Sequence, residues 1–182
     1  MVDVVTAINT WAFQVAEAIA NPQLNFIMGL LASSLFVVIP LVAIWLYYRK
    51  DKNVFSFLVA FAGAFVLGEI IKIIVQEPRP CTLPQFSWIN QVGCEPAGYS
   101  FPSNHAIALT GPALFLRGYK YLRVLYTFWL LLVLFGRVYL GYHYLTDVIA
   151  GVVLSLLFAY LVFRNEDKIN NAFISLLRIR MR

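Results

Sequence analysis

The chain has 182 residues and a formal net charge of +5; it is 61% hydrophobic, 16% aromatic and only 13% charged. A soluble domain carries nearer 25% charged residues, and the apolar runs below leave almost no polar sequence for a water-facing surface, which excludes buried helices of a large soluble protein. No repeat, low-complexity segment or linker divides the chain, so residues 1–182 read as one membrane-embedded domain.

Residues 1–20 begin "MVDVVTAINTWAFQVAEAIA". Val4, Val5, Ile8, Trp11, Val15 and Ile19 recur at helical spacing, with Asp3 and Glu17 the segment's only charges. This pattern predicts an amphipathic helix lying in the interface or partly inserted. No positive region precedes its apolar part, so it is not a signal peptide.

Five apolar runs follow. Leu24–Tyr48 has no charge, and Val54–Val75 is apolar until Glu69 and Lys72. His105–Gly118 is shorter and needs its neighbours to reach across, and Tyr121–Gly136 and Tyr144–Phe163 complete the set. A helical crossing needs about 20 residues. The expected fold is all-α: a polytopic membrane helical bundle with about five crossings plus the N-terminal amphipathic helix. A loop over 77–103 and a charged tail over 164–182 are its main polar segments.

Lysine and arginine set the orientation. The side on which the first crossing ends holds Arg49, Lys50, Lys52, Arg117, Lys120, Arg123, Arg164, Lys168, Arg178, Arg180 and Arg182. Lys72, Arg79 and Arg137 fall on or near the other side. The positive-inside rule makes the first side, with the C-terminus, cytoplasmic. The loop 77–103 is then extracytoplasmic.

Alternating crossings bring sequence-distant polar residues to that extracytoplasmic end: "KIIVQEPRP" (72–80), "FPSNH" (101–105), Arg137, His143 and Asp147. Taken singly, each has a bland reading. Lys72 snorkels, Glu69 is its partner one turn earlier, Glu77 is a solvated loop residue, and the arginines are interfacial anchors. Taken together they do not, because ionisable groups at membrane depth usually face a bundle interior or a cavity. Both histidines of the chain are in this set. Asp147, four residues after His143, can orient that ring if both are helical. Lys72, Arg79 and Arg137 suit the oxygens of a phosphate. Ser103 and the amides of Ser103, Asn104 and His105 stand at an expected helix start, suited to an anion. One histidine can attack phosphorus while the other protonates the departing oxygen. A zinc site built from both histidines and Asp147 is disfavoured by three adjacent cations.

These motifs resemble the three signatures of the type 2 phosphatidic acid phosphatase superfamily of membrane lipid phosphatases. Lys72, Arg79 and Pro80 match the first. Pro102, Ser103, Asn104 and His105 match the second, with asparagine where glycine is usual. Arg137, His143 and Asp147 match the third, with Gly136 where serine is usual. The resemblance implies a metal-independent hydrolase without a cofactor. His143 would be the nucleophile, forming a phosphohistidine, with Asp147 orienting it and His105 as acid and then base. Lys72, Arg79, Arg137, Ser103 and Asn104 would border the phosphate. The implied partners are the bilayer and a membrane lipid phosphate, not nucleic acid. Small members resemble polyprenyl diphosphate phosphatases (undecaprenyl or dolichyl), which places the protein in the plasma membrane. Phosphatidylglycerophosphate or phosphatidic acid is the alternative substrate, and a non-enzymatic anion-binding transporter or scaffold is the alternative class. The motifs leave the prenyl chain length and the oligomeric state open.

Cys81 and Cys94 are the only cysteines, and both lie in the loop that the charge bias places outside, where disulfides persist. A disulfide between them is expected. It would limit how far Phe86 and Trp88 swing over the entrance.

Overall fold

The computed structural model describes residues 4–82 and 98–177. Within them lie α1 (Val4–Ile19), α2 (Pro22–Ser33), α3 (Leu35–Tyr48), α4 (Asn53–Val75), α5 (Asn104–Thr110), α6 (Lys120–Tyr139), α7 (Leu145–Arg164) and α8 (Glu166–Leu177), with 3-10 turns at Pro80–Thr82 and Gly111–Leu116. The architecture is an all-α polytopic membrane bundle. Among the described residues, α4, α6 and α7 are long and apolar enough to span a bilayer, and α2 with α3 makes a fourth span bent by 43°.

A fifth spanning helix is not confirmed among the described residues. The run expected over 105–118 becomes the seven-residue α5 followed by a 3-10 segment. Pro112 has no N–H to return to the Ala108 carbonyl, and its ring crowds that carbonyl, so a straight α-helix stops there. The two pieces are nevertheless central. Ala106, Ile107, Ala108, Leu109, Phe115 and Leu116 are all buried, against α4, α6 and α7.

The bundle is apolar outside and packed by small residues inside. Ile74, Leu125 and Leu161 point away from the protein, as suits contact with lipid. Hydrocarbon is no worse a solvent for leucine than a protein core, so close backbone packing has to hold the helices together. On α4 the buried face carries Ala60, Ala64 and Gly68 at every fourth position, and on α7 it carries Gly151, Ser155 and Ala159. A methyl group at Gly151 would meet the Ala106 Cβ at 2.7 Å and the Ser103 carbonyl oxygen at 3.0 Å, so only glycine allows α5 this close to α7.

The expected apolar face of α1 is present and faces outward. Val4, Val5, Ile8, Trp11, Val15 and Ile19 are exposed, while Ala12, Phe13 and Ala16 pack inward, the helix lying against α6 and α7. The Asn9 amide donates to the Thr146 hydroxyl at 3.1 Å, and Thr146 N–H returns a bond to Asn9 Oδ1 at 3.2 Å. With 16 residues, α1 is shorter than a span requires. The tail is likewise docked. In α8, Asn170 Oδ1 accepts from Ser56 Oγ at 2.8 Å, and Asp167 pairs with Lys52 at 2.8 Å. Cys94, Phe86, Trp88, Arg178, Arg180 and Arg182 lie outside the described residues.

Candidate active site

The small-residue stripes lead straight into the site. Continuing the α4 stripe by one more step of four from Gly68 reaches Lys72; stepping back four from Gly151 on α7 reaches Asp147. Both ionisable side chains therefore share the inward face that packs on α5, and both are buried, at 5% and 1% exposure. Lys72 does not snorkel. Its ammonium donates to the carbonyls of Tyr99 at 2.6 Å and Ser100 at 3.1 Å. Those carbonyls belong to a short antiparallel contact, in which Pro78 bridges Tyr99 and Ser100 N–H donates to the Glu77 carbonyl at 2.7 Å.

The remaining cations come from two other segments. Arg79 follows directly on that contact, and its guanidinium crosses Gly98 so closely that a Cβ there would stand 2.9 Å from Nη2. Arg137 sits in the last turn of α6, with its guanidinium carbon 4.4 Å from the centre of the Tyr142 ring.

The histidines approach from opposite ends of the chain's second half. His143 lies in the turn between α6 and α7, just before the helix rather than within it. It is 1% exposed. Burial, followed by the charges of Arg137, Lys72 and Arg79, holds its ring well below the ordinary histidine pKa of 6.5, so it is neutral. His105 is in the first turn of α5, and its Nε2 lies 2.8 Å from the Ala32 carbonyl oxygen. A carbonyl only accepts, so this nitrogen carries the proton.

The direct His143–Asp147 hydrogen bond expected from their spacing is not formed. Nδ1 and Oδ2 are 3.7 Å apart, beyond hydrogen-bond range. Asp147 Oδ2 instead accepts from the Tyr144 N–H at 2.9 Å, capping α7, and from Ser100 Oγ at 2.5 Å. Ser100 Oγ is also 3.4 Å from His143 Nδ1. Glu77, expected to be solvated, faces Asp147 within hydrogen-bonding reach. Burial, then the Asp147 charge, pushes its pKa up to about 7.

Ser103 is the N-cap of α5. Its backbone N–H is committed to the Asp147 carbonyl at 3.2 Å, so that amide is not part of an anion cradle. Its hydroxyl is buried with no hydrogen-bond partner among the described residues. The Asn104 amide nitrogen donates to Glu69, so Glu69 partners Asn104 rather than Lys72. Gly136 faces Met28 of α2, whose sulfur would be 3.5 Å from an added Cβ.

Lys72, Arg79, Asn104, His105, Arg137 and His143 line one cavity of about 630 Å³. Its walls continue along Phe36, Pro40, Phe61 and Phe65 of α3 and α4. A second cavity of about 770 Å³, between the Gly111–Leu116 segment, α6 and α7, is lined by Arg117, Arg123 and apolar groups and contains no histidine or carboxylate. The phosphate-type chemistry belongs to the first. Sequence reasoning missed Ser100, Ala32 and the role of Glu77. Glu77 lies inside the first motif, but nothing in its spacing indicates its facing Asp147.

Buried cations beside a neutral histidine, in a lipid-facing bundle, define a membrane phosphohydrolase-type site, and the comparisons agree. Residues 53–170 match the model of the PAP2 superfamily, and the chain belongs to that family. It is 32% identical to an undecaprenyl-diphosphatase of Sulfolobus acidocaldarius over 138 residues, 72% of this chain and 65% of that protein, slightly under two thirds of its length. It is 30% identical to the undecaprenyl-diphosphatase BcrC of Bacillus subtilis over 154 residues, 81% of this chain and 77% of that protein. The crystal structure of a PAP2-type phosphatidylglycerolphosphate phosphatase from Bacillus subtilis superposes with a TM-score of 0.69 at 27% identity, covering 92% of this chain and 88% of that one.

Proposed function

We propose that this PAP2 hydrolase removes the terminal phosphate of a membrane polyprenyl diphosphate, such as undecaprenyl or dolichyl diphosphate, at the extracytoplasmic face of the plasma membrane. The observation that carries this reading is the single cavity joining the cations and both histidines to an apolar wall along α3 and α4. A phosphate bound among Lys72, Arg79 and Arg137 leaves its lipid chain facing Phe36, Phe61 and Phe65. The identity to two undecaprenyl-diphosphatases supports the polyprenyl class.

His143 presents its Nδ1 edge to Ser100 and Asp147, which leaves Nε2 for attack. Its lone pair forms the N–P bond as the bridging P–O bond breaks. His105, anchored through Nε2–H on Ala32, gives the Nδ1 proton to the departing lipid phosphate oxygen. His105 then takes a proton from water, whose oxygen attacks phosphorus, releasing inorganic phosphate and restoring His143. Lys72, Arg79 and Arg137, with Asn104 in the cavity wall and the buried, unpartnered hydroxyl of Ser103, stabilise the charge on the equatorial oxygens. These fixed cations fill the part a metal would otherwise play. Among the described residues no group of three His, Cys, Asp or Glu side chains is arranged to hold one.

The likeness to the Bacillus phosphatidylglycerolphosphate phosphatase favours a second reading, hydrolysis of a glycerophospholipid phosphate in the same cavity. A lipid panel on purified protein separates the two. The expected result is phosphate release from undecaprenyl diphosphate with kcat/KM at least about tenfold above that for phosphatidylglycerophosphate or phosphatidic acid, lost on His143→Ala. The reverse preference favours the second reading. Release unchanged by His143→Ala rejects the mechanism, and no release from any lipid leaves an anion-binding transporter or scaffold.

A further inference from the structure

Asp147 and His143 do not touch, yet both touch Ser100. This serine is fully buried, belongs to none of the three motifs, and is held from both sides. Its N–H donates to the Glu77 carbonyl at 2.7 Å, and its carbonyl accepts from the Lys72 ammonium at 3.1 Å. That frame points Oγ to a position 2.5 Å from Asp147 Oδ2 and 3.4 Å from His143 Nδ1. A hydroxyl has one proton and two lone pairs. Oγ–H donates to the carboxylate, which leaves a lone pair to receive the Nδ1–H of His143. The relay Nδ1–H to Oγ–H to Oδ2 gives the neutral ring the tautomer whose free nitrogen is Nε2. The cationic ring that forms during attack keeps its Nδ1 proton and is stabilised by the Asp147 carboxylate through the serine.

The same carboxylate has a second neighbour of its own kind. The Glu77 carboxyl lies within hydrogen-bonding reach of Asp147, with Lys72 of α4 and Tyr144 at the start of α7 the other titratable groups beside it. Two carboxylates that close do not both stay ionised at low cost, so the pair holds one proton. With that proton on Glu77, its O–H donates to Asp147, which then receives Ser100, Glu77 and the Tyr144 N–H together.

We propose that Ser100 and Glu77 are positioning residues that act through Asp147: Ser100 connects the Asp147 carboxylate to His143, and Glu77 holds that carboxylate in place by a proton shared between the two acids. The inference rests on the phosphohistidine reading above and deepens it.

A double-mutant cycle on phosphate release from the best lipid of the panel tests the serine. Ser100→Ala should lower kcat roughly 10- to 100-fold, the scale of one hydrogen bond to a charged group, and leave KM within about twofold. In an Asp147→Asn background the same change should have less than about a threefold effect, because the partner it acts through is gone. Equal fold-losses in the two backgrounds overturn the relay, as does a Ser100→Ala enzyme with wild-type kcat. Infrared titration tests the acid. A protonated-carboxyl band should be lost from the wild-type protein as pH rises through about 7 and should be missing from Glu77→Gln. Glu77→Gln keeps a donor to Asp147 and should retain activity at pH 6, whereas Glu77→Ala should lose about tenfold in kcat there. A wild-type spectrum without that band at pH 6, or equal activity of the Gln and Ala variants, overturns the shared proton. If the wild type hydrolyses no lipid phosphate, the phosphatase reading itself has failed; an active wild type that His143→Ala inactivates, with Ser100→Ala and Glu77→Ala silent, removes only this inference.

Discussion

The ring of His105 is tied to the first crossing: its Nε2–H donates to the Ala32 carbonyl at 2.8 Å. The crossing breaks two residues further on, at Ser34, where the N–H turns back to the Leu31 carbonyl at 3.1 Å. Ser34 Oγ donates to the Leu31 carbonyl at 2.6 Å and accepts from the indole of Trp129 at 2.8 Å. The break is thus held against α6, and a bend in one helix orients a side chain on another.

Ser34→Ala removes both hydroxyl bonds. Each is worth about 1 kcal/mol, so a fall in kcat of up to roughly 30-fold is expected if the break relaxes and His105 loses its anchor. Ser34→Thr keeps the hydroxyl and should stay within about twofold of wild type. Steady-state phosphate release provides the comparison, and equal rates for the two variants would show that the break does not reach His105.

The pH profile follows from the charge around His143. Its neutral form attacks, and burial with Arg137, Lys72 and Arg79 lowers its pKa below the ordinary 6.5. Lowering extends the neutral range toward acid, so the acid limb of kcat/KM should lie well below pH 6.5. Arg137→Gln removes the largest neighbouring positive charge and should move the acid limb upward, toward 6.5. Imidazole nitrogen chemical shifts followed against pH give the same quantity without turnover; a His143 titrating at or above 6.5 in the wild type contradicts the assignment.

Gly151→Ala places a methyl where the Ala106 Cβ would be 2.7 Å away and the Ser103 carbonyl 3.0 Å. Backbone and Cβ atoms cannot swing aside as a long side chain can, so α5 must move. A cost of about 1–3 kcal/mol is expected, together with a loss of activity, since α5 and its cap carry Ser103, Asn104 and His105. Gly118→Ala meets nothing within 4 Å and serves as the control. Thermal unfolding in detergent, read beside activity, should separate the two glycines.

Fixed cations in place of a metal predict insensitivity to chelation. Phosphate release should persist within about twofold in excess EDTA. Complete loss restored by a divalent ion would instead place a metal in the reaction.

A disulfide between Cys81 and Cys94, the chain's two cysteines, is the expectation to test. Intact protein, denatured without reductant and alkylated, should therefore carry no adducts, and two after reduction. Removing the link should cost the folded state about 2–4 kcal/mol at most. It should affect the segment after Arg79 more than the helices. Two adducts without reductant would refute the bond and weaken the extracytoplasmic placement of 77–103.

Much of this was legible in the sequence because hydropathy and four-residue spacing report which side of a helix is buried, and alternating crossings decide which helix ends share a side of the membrane. Lys72, Arg79, His105, Arg137, His143 and Asp147 were placed together on that basis. The stripes Ala60–Ala64–Gly68–Lys72 and Asp147–Gly151–Ser155–Ala159 were equally readable and show why two charges face inward. Hydropathy could not distinguish one continuous spanning helix from the short α5 and its 3-10 continuation, which are equally apolar because both are buried. Nor could spacing decide contact. His143 and Asp147 are four apart, but His143 precedes α7, so the helical geometry that would bring them together does not apply and a 3.7 Å gap remains. Ser100, Glu77 and the Ala32 carbonyl enter the site through a two-residue backbone pairing and a helix break. Side-chain hydrogen bonds form over less than an ångström of latitude, and that accuracy comes from how α4, α5 and α7 pack, not from any single segment's pattern.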